Sequence, residues 1–261
     1  MNEVPNVIGL GVLASLLAGL CTSVGALGVF AIRELSTRVE DVLLSVAAGI
    51  MLAATFFSLL LPGIEQAEQQ FEHRSIAVLV VIAGLLLGAL ALFLIHRFTP
   101  HEHFRGGREG PDTEVLRRIW LFVIAITLHN LPEGMAVGVG FAGGNMANGF
   151  SLAAGIGLQN VPEGLAVAVS MRAIGYSMRH SFWAASLTGL AEPVGGLLGS
   201  AAVSATAALM PATLGFAAGA MLFIISDEII PETHRRGLQN LATFSLLGGF
   251  VVMMFLDATL G

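Results

Sequence analysis

Residues 76–95 run for twenty positions without Asp, Glu, Lys, Arg or His, and 7–32 and 42–61 are equally free of charge. A helix needs about 20 such residues to cross the ~30 Å hydrocarbon core of a bilayer, where a lone segment satisfies its own backbone only as helix. These are spans 1 to 3. The first run is too long for the apolar part of a cleavable leader and follows Glu3 with no Lys or Arg, so span 1 is expected to persist in the mature chain. Residues 119–142 and 147–171 form spans 4 and 5, joined by Gly143-Gly144-Asn145, a turn composition that folds them into a hairpin. Residues 181–226 carry one charge, Glu192, along a stretch that would be ~69 Å long as a single helix. They are expected to fold back as spans 6 and 7, with Met210-Pro211 as the break. Residues 238–256 are span 8. The expected fold is an all-α membrane protein of eight transmembrane helices.

Only 11% of the 261 residues are charged, against about a quarter in a soluble domain. That excludes a nucleic-acid binder, a disordered regulator and an ordinary cytosolic enzyme, and makes the lipid bilayer the first partner. All 12 basic residues are Arg. Arg33, Arg38, Arg97, Arg105, Arg108, Arg117, Arg118, Arg172, Arg179, Arg235 and Arg236 follow spans 1, 3, 5 and 7, leaving Arg74 alone on the other side. The positive-inside rule then puts both termini outside. Cys21 is the single cysteine, so any metal chemistry falls to His, carboxylate, amide or thioether groups.

The chain matches itself twice. Ala47-Ala48-Gly49-x-Met51-Leu52 recurs as Ala217-Ala218-Gly219-x-Met221-Leu222, and Gly19-Leu20 and Val24-Gly25 recur as Gly189-Leu190 and Val194-Gly195, all 170 positions on. Asn130-Leu131-Pro132-Glu133-Gly134 recurs 30 positions on as Asn160-Val161-Pro162-Glu163-Gly164. Spans 1 to 3 thus resemble spans 6 to 8, and span 4 resembles span 5. Partners in each match cross in opposite senses, the inverted repetition of transporters that alternate access about a central site.

Polar residues interrupt spans 4 to 6 at one level. At ~1.5 Å per residue, His129 and Gln159 lie about 15 Å deep, Glu192 about 16 Å and Met51 of span 2 about 14 Å. His129 and Glu133 share a helix face at i and i+4, as do Gln159 and Glu163, with Asn130 and Asn160 beside them. Pro132 and Pro162 free the carbonyls four residues earlier and are expected to bend both helices. Three carboxylates at this depth face no Lys or Arg, so one or two divalent cations are the natural counter-charge. Met51 reads either as a thioether ligand or as packing. Glu65, Glu68 and Glu72 share a face at the outer end of span 2, either concentrating cations or standing as ordinary solvated charge.

The sequences His129-Asn-Leu-Pro-Glu-Gly, Gln159-Asn-Val-Pro-Glu-Gly, Ala191-Glu-Pro-Val-Gly-Gly and Asp227-Glu-Ile-Ile-Pro-Glu-Thr-His234 together resemble the Zrt/Irt-like (ZIP) family of divalent-metal transporters, in particular its bacterial GufA-like branch. The resemblance covers all eight spans. It implies one domain over 1–261: a first three-helix repeat (1–98), a cytoplasmic His-containing loop (99–118), the metal-site hairpin (119–172) and a second repeat (173–261). It implies uptake of Zn2+, with breadth toward cadmium, iron, manganese and cobalt, through a binuclear centre. The implied first site is Met51, His129, Glu133, Gln159, Glu163 and Glu192. The second is Asn130, Glu133, Asn160 and Glu163, with Asn160 where the family often has Asp. An entrance at Ser58 and Glu65, an exit at Asp227, Glu228 and Glu232, and a metal-sensing role for His96, His101 and His103 are implied as well.

The expected function is therefore uptake of zinc into the cytoplasm by a multi-pass inner-membrane protein, not an enzyme, with a homodimer left open. The rival is an intramembrane metallohydrolase holding a metal-activated water on His129 and the glutamates. It needs an open coordination position and a separate base, and no HExxH is present.

Overall fold

The computed structural model describes residues 6–98, 112–143, 146–234 and 237–260. His101, His103, Arg235 and Arg236 lie outside them, as do Gly144 and Asn145 of the expected hairpin turn, and the side chain of His96 is not described. Described residues form helices α1 (Val7–Ala26), α2 (Thr37–Ala54), α3 (Leu61–Gln70), α4 (Arg74–Phe98), α5 (Asp112–Ala142), α6 (Met146–Ala173), α7 (Met178–Thr188), α8 (Ala191–Ala205), α9 (Met210–Ile224), α10 (Ile230–His234) and α11 (Gln239–Leu260). Six stretches are long and apolar enough to cross a membrane: Val7–Phe30, Thr37–Gln70, Arg74–Ile95, Met146–Ala173, Met210–His234 and Gln239–Leu260. The expected fourth and sixth spans fall in α5 and in α7 with α8. Both regions are helical, and neither is among those six.

Helix starts follow local chemistry. The side chains of Asn6, Ser36 and Ser177 accept from the backbone N–H three residues on, satisfying donors that a helix start leaves orphaned. Gly175 (φ 98°) and Gly237 (φ 81°) make the left-handed turns after α6 and before α11.

Three expectations are corrected. The fold-back after α8 comes at Thr206, in extended conformation, and the 3-10 turn Ala207–Leu209. Met210-Pro211 instead opens α9, because a proline in the first helical turn removes only an N–H that would be orphaned anyway. The sixth expected span is divided at Gly189-Leu190. The loop expected to run to residue 118 is helical from Asp112.

Beyond what was expected, there are two wide π turns, Thr55–Leu60 between α2 and α3 and Ile225–Ile229 between α9 and α10. The N–H of Leu61 reaches back to Phe56 and that of Ile230 to Ile225, five residues instead of four. Each turn stands just before a proline, Pro62 or Pro231, whose ring would collide with the carbonyl four residues earlier in a regular helix.

α1, α5, α6 and α8 pack together, while α4 lies along α9 and α11 along α2. Contacts are close enough for backbone to touch backbone. A side chain at Gly249 would strike the carbonyl of Val46, and one at Gly88 the carbonyl of Phe216, 170 positions after Val46. Leu79 and Leu86 of α4 and Phe244 and Phe255 of α11 are exposed, as lipid-facing residues are. Trp120 donates its indole N–H to the Tyr176 hydroxyl at 2.7 Å, an aromatic pair of the kind found where membrane meets water.

Candidate metal centre

Glycines let the ligand-bearing helices close on one another. A side chain at Gly25 of α1 would strike the carbonyl of Val161 on α6, and one at Gly195 of α8 that of Leu131 on α5. Gly164 likewise abuts the carbonyl of Thr22, and Gly134 that of Glu192. In each pair of contacts the partners stand 170 and 30 positions apart. α5 and α6 run on through Pro132 and Pro162. The close contacts draw His129, Asn130, Glu133, Gln159, Asn160, Glu163 and Glu192 into the interior, each at most 4% exposed.

Inside, these residues meet. Gln159 Nε2 donates to Glu133 Oε1 at 2.5 Å. Asn160 Nδ2 donates to Glu192 Oε1 at 2.6 Å and to the carbonyl of Ala18 at 2.9 Å. Glu133 lies within electrostatic reach of Glu163 and Glu192, and Glu163 within reach of His129. His129 Nε2 stands 2.8 Å from Glu228 Oε2. The expected exit residue thus reaches the centre itself.

Donors run short. Among the described residues, Asn130 Oδ1, Glu133 Oε2, Gln159 Oε1, Asn160 Oδ1 and Glu192 Oε2 are buried oxygens with no hydrogen-bond partner. An unpaired buried oxygen costs about 1–3 kcal/mol, so four on the linked residues Glu133, Gln159, Asn160 and Glu192, with a fifth on Asn130, form an arrangement suited to a cation. No three His, Cys, Asp or Glu among the described residues stand close enough to grip an ion as they are, and amide N–H groups hold one oxygen each of Glu133 and Glu192. Turning the two amides end for end would replace those donors by oxygens.

Other expected residues lie apart from this group. Met51 is fully buried in an apolar cluster that includes Ile50, Ile156 and Met253. Ser58, also buried, donates its hydroxyl to Asp257 Oδ1 at 2.6 Å and accepts at its carbonyl from Asn148 Nδ2 at 3.1 Å. Glu65 and Asp227 are exposed and Glu232 is half-buried. Glu68, on the same face as Glu65, is paired with Arg74 at 2.8 Å. Sequence reasoning passed over Asp257 and Asn148. The available signal was a lone carboxylate and a lone amide at the ends of two apolar runs.

The sequence matches the family described as ZIP zinc transporter over residues 99–257. It is 46% identical over 254 residues to zinc transporter GufA of Myxococcus xanthus, covering 97% of this chain and 100% of that one. Zinc transporter ZIPB of Bordetella bronchiseptica is also 46% identical over 254 residues, covering 97% of this chain and 82% of that one. Human zinc transporter ZIP11 is 34% identical over 321 residues, covering 92% of this chain and 94% of that one. Relatives at this identity and coverage share one family, and the chain belongs to the ZIP zinc transporter family.

Proposed function

We propose that this protein carries zinc into the cytoplasm across the inner membrane, through a binuclear centre at mid-depth, by alternating access. The five unpartnered buried oxygens, two of them on carboxylates and three on amides, carry the reading. The first site is Met51, His129, Glu133, Gln159, Glu163 and Glu192, and the second Asn130, Glu133, Asn160 and Glu163. Ser58 and Glu65 line the entrance, and Asp227, Glu228 and Glu232 the exit. Cadmium, iron, manganese and cobalt share the oxygen and imidazole chemistry that would admit them. The relatives are named for zinc transport, and nothing in them supports the hydrolase alternative.

Eight spans in inverted repeats, with both termini outside, complete the proposal. The glycine contacts paired at offsets of 170 and 30, and the two π turns at matching places, support the repetition. Membrane potential favours inward movement of a divalent ion by about 4.6 kcal/mol per 100 mV, so no second gradient is required.

Zinc uptake into proteoliposomes tests the reading. Glu163→Ala and His129→Ala should each abolish uptake while expression and elution profile stay normal. Wild-type rates in both variants would remove the centre from the transport path.

A further inference from the structure

Pro62 has no N–H to offer the carbonyl of Ser58, four residues before it, and the π turn Thr55–Leu60 leaves that carbonyl on the helix surface. It does not go unpaired. Asn148 Nδ2, from the first turn of α6, donates to it at 3.1 Å, while the Ser58 hydroxyl donates to Asp257 Oδ1 on α11 at 2.6 Å. Ser58 is completely buried by this arrangement and Asn148 is 8% exposed.

The second π turn is its counterpart, since 170 positions carry Thr55 to Ile225 and Ser58 to Glu228. There Ser226 is exposed, as Phe56 is, and Ile225 is buried, as Thr55 is, while the Glu228 side chain is 14% exposed. The two turns differ at the matched residues Ser58 and Glu228: Ser58 is fully buried and bonded from α6, whereas the Glu228 side chain keeps that exposure and faces His129. The group that bonds the Ser58 carbonyl belongs to α6, the helix carrying Gln159, Asn160 and Glu163, whereas Ser58 belongs to the chain joining α2 and α3. Their hydrogen bond therefore ties α6 to the helices on the other side, where Met51 of α2 is the one proposed ligand.

We propose that Asn148 is an outer latch, holding the entrance closed by donating to the carbonyl that Pro62 frees. This rests on the alternating-access reading. When the ligand-bearing helices move and the entrance opens, water takes the carbonyl in place of Asn148. The hydrogen bond biases the balance toward the closed entrance without touching a metal ligand. Losing one ordinary hydrogen bond shifts a two-state balance about fivefold.

The test uses two reporter cysteines in a Cys21→Ala chain reconstituted in sealed vesicles. Thr55→Cys is labelled from outside and Ser226→Cys from inside, by a membrane-impermeant maleimide. Asn148→Ala and Asn148→Asp, the latter of similar size but without the N–H donor, should each raise labelling at 55 about fivefold and lower it at 226. Zinc affinity of the purified protein should be unchanged. Pro62→Ala restores an N–H for the Ser58 carbonyl with Asn148 in place, and should act in the same direction. Unchanged labelling in all three folded variants would overturn the latch. Zinc added to the Asn148 chain should move the two reporters in opposite senses. If it does while the variants leave labelling unchanged, the latch alone is wrong; if the reporters never trade reactivity, alternating access fails first.

Discussion

Glu133 gives one oxygen to the Gln159 amide and keeps the other unpaired, and Glu192 is held in the same way by Asn160. On the proposed reading the two amides stand in for positive charge and turn to ligate when an ion arrives. Asn160→Asp removes the donor and adds a charge at the second site, so zinc affinity there should rise about tenfold, measured by titration calorimetry. Unchanged affinity would remove Asn160 from the ligand set. Protons compete with metal for His129, Glu133, Glu163 and Glu192, so zinc binding should weaken as pH falls and should release protons. Calorimetry in buffers of different ionisation enthalpy reads that release, and buffer-independent heats would mean the groups are already deprotonated before zinc binds.

At the scale of helices, backbone contacts at glycine set how near the ligands stand. Gly25→Val on α1 would drive a side chain into the carbonyl of Val161, and Gly195→Val on α8 one into that of Leu131. Such overpacking costs about 1–3 kcal/mol and often more against backbone, so both variants should melt at lower temperature in detergent. Gly248→Val, with nothing within 4 Å, should leave the melting temperature near that of the parent chain. Helix positions were largely legible from charge-free runs, because hydrocarbon imposes one rule on every span. The π turns were not, since a proline late in an apolar run reads equally as a kink, a helix start or a bulge. The pairing of Ser58 with Asp257 spans 199 positions and that of Asn148 with Ser58 spans 90, and such distant pairings leave no local pattern to read. The centre itself was legible because a His, three Glu and their amides inside apolar helices have few other reasons to exist.

Over the whole molecule, the proposed alternating access divides the helices into two groups. α1, α5, α6 and α8 should move as one body against α2, α4, α9 and α11. Cysteine pairs between α6 and α2, and between α5 and α9, should crosslink differently with and without zinc, and locking either pair should stop uptake. Equal crosslinking in both conditions with transport intact would make the protein a fixed channel.

The contact between His129 and Glu228 bears on how an ion is taken up on this reading. The imidazole nitrogen that would receive an ion already has a companion, so capture is an exchange instead of an arrival. An ion bound there would trade places with a carboxylate, and the departing Glu228 would stand ready on the proposed way out.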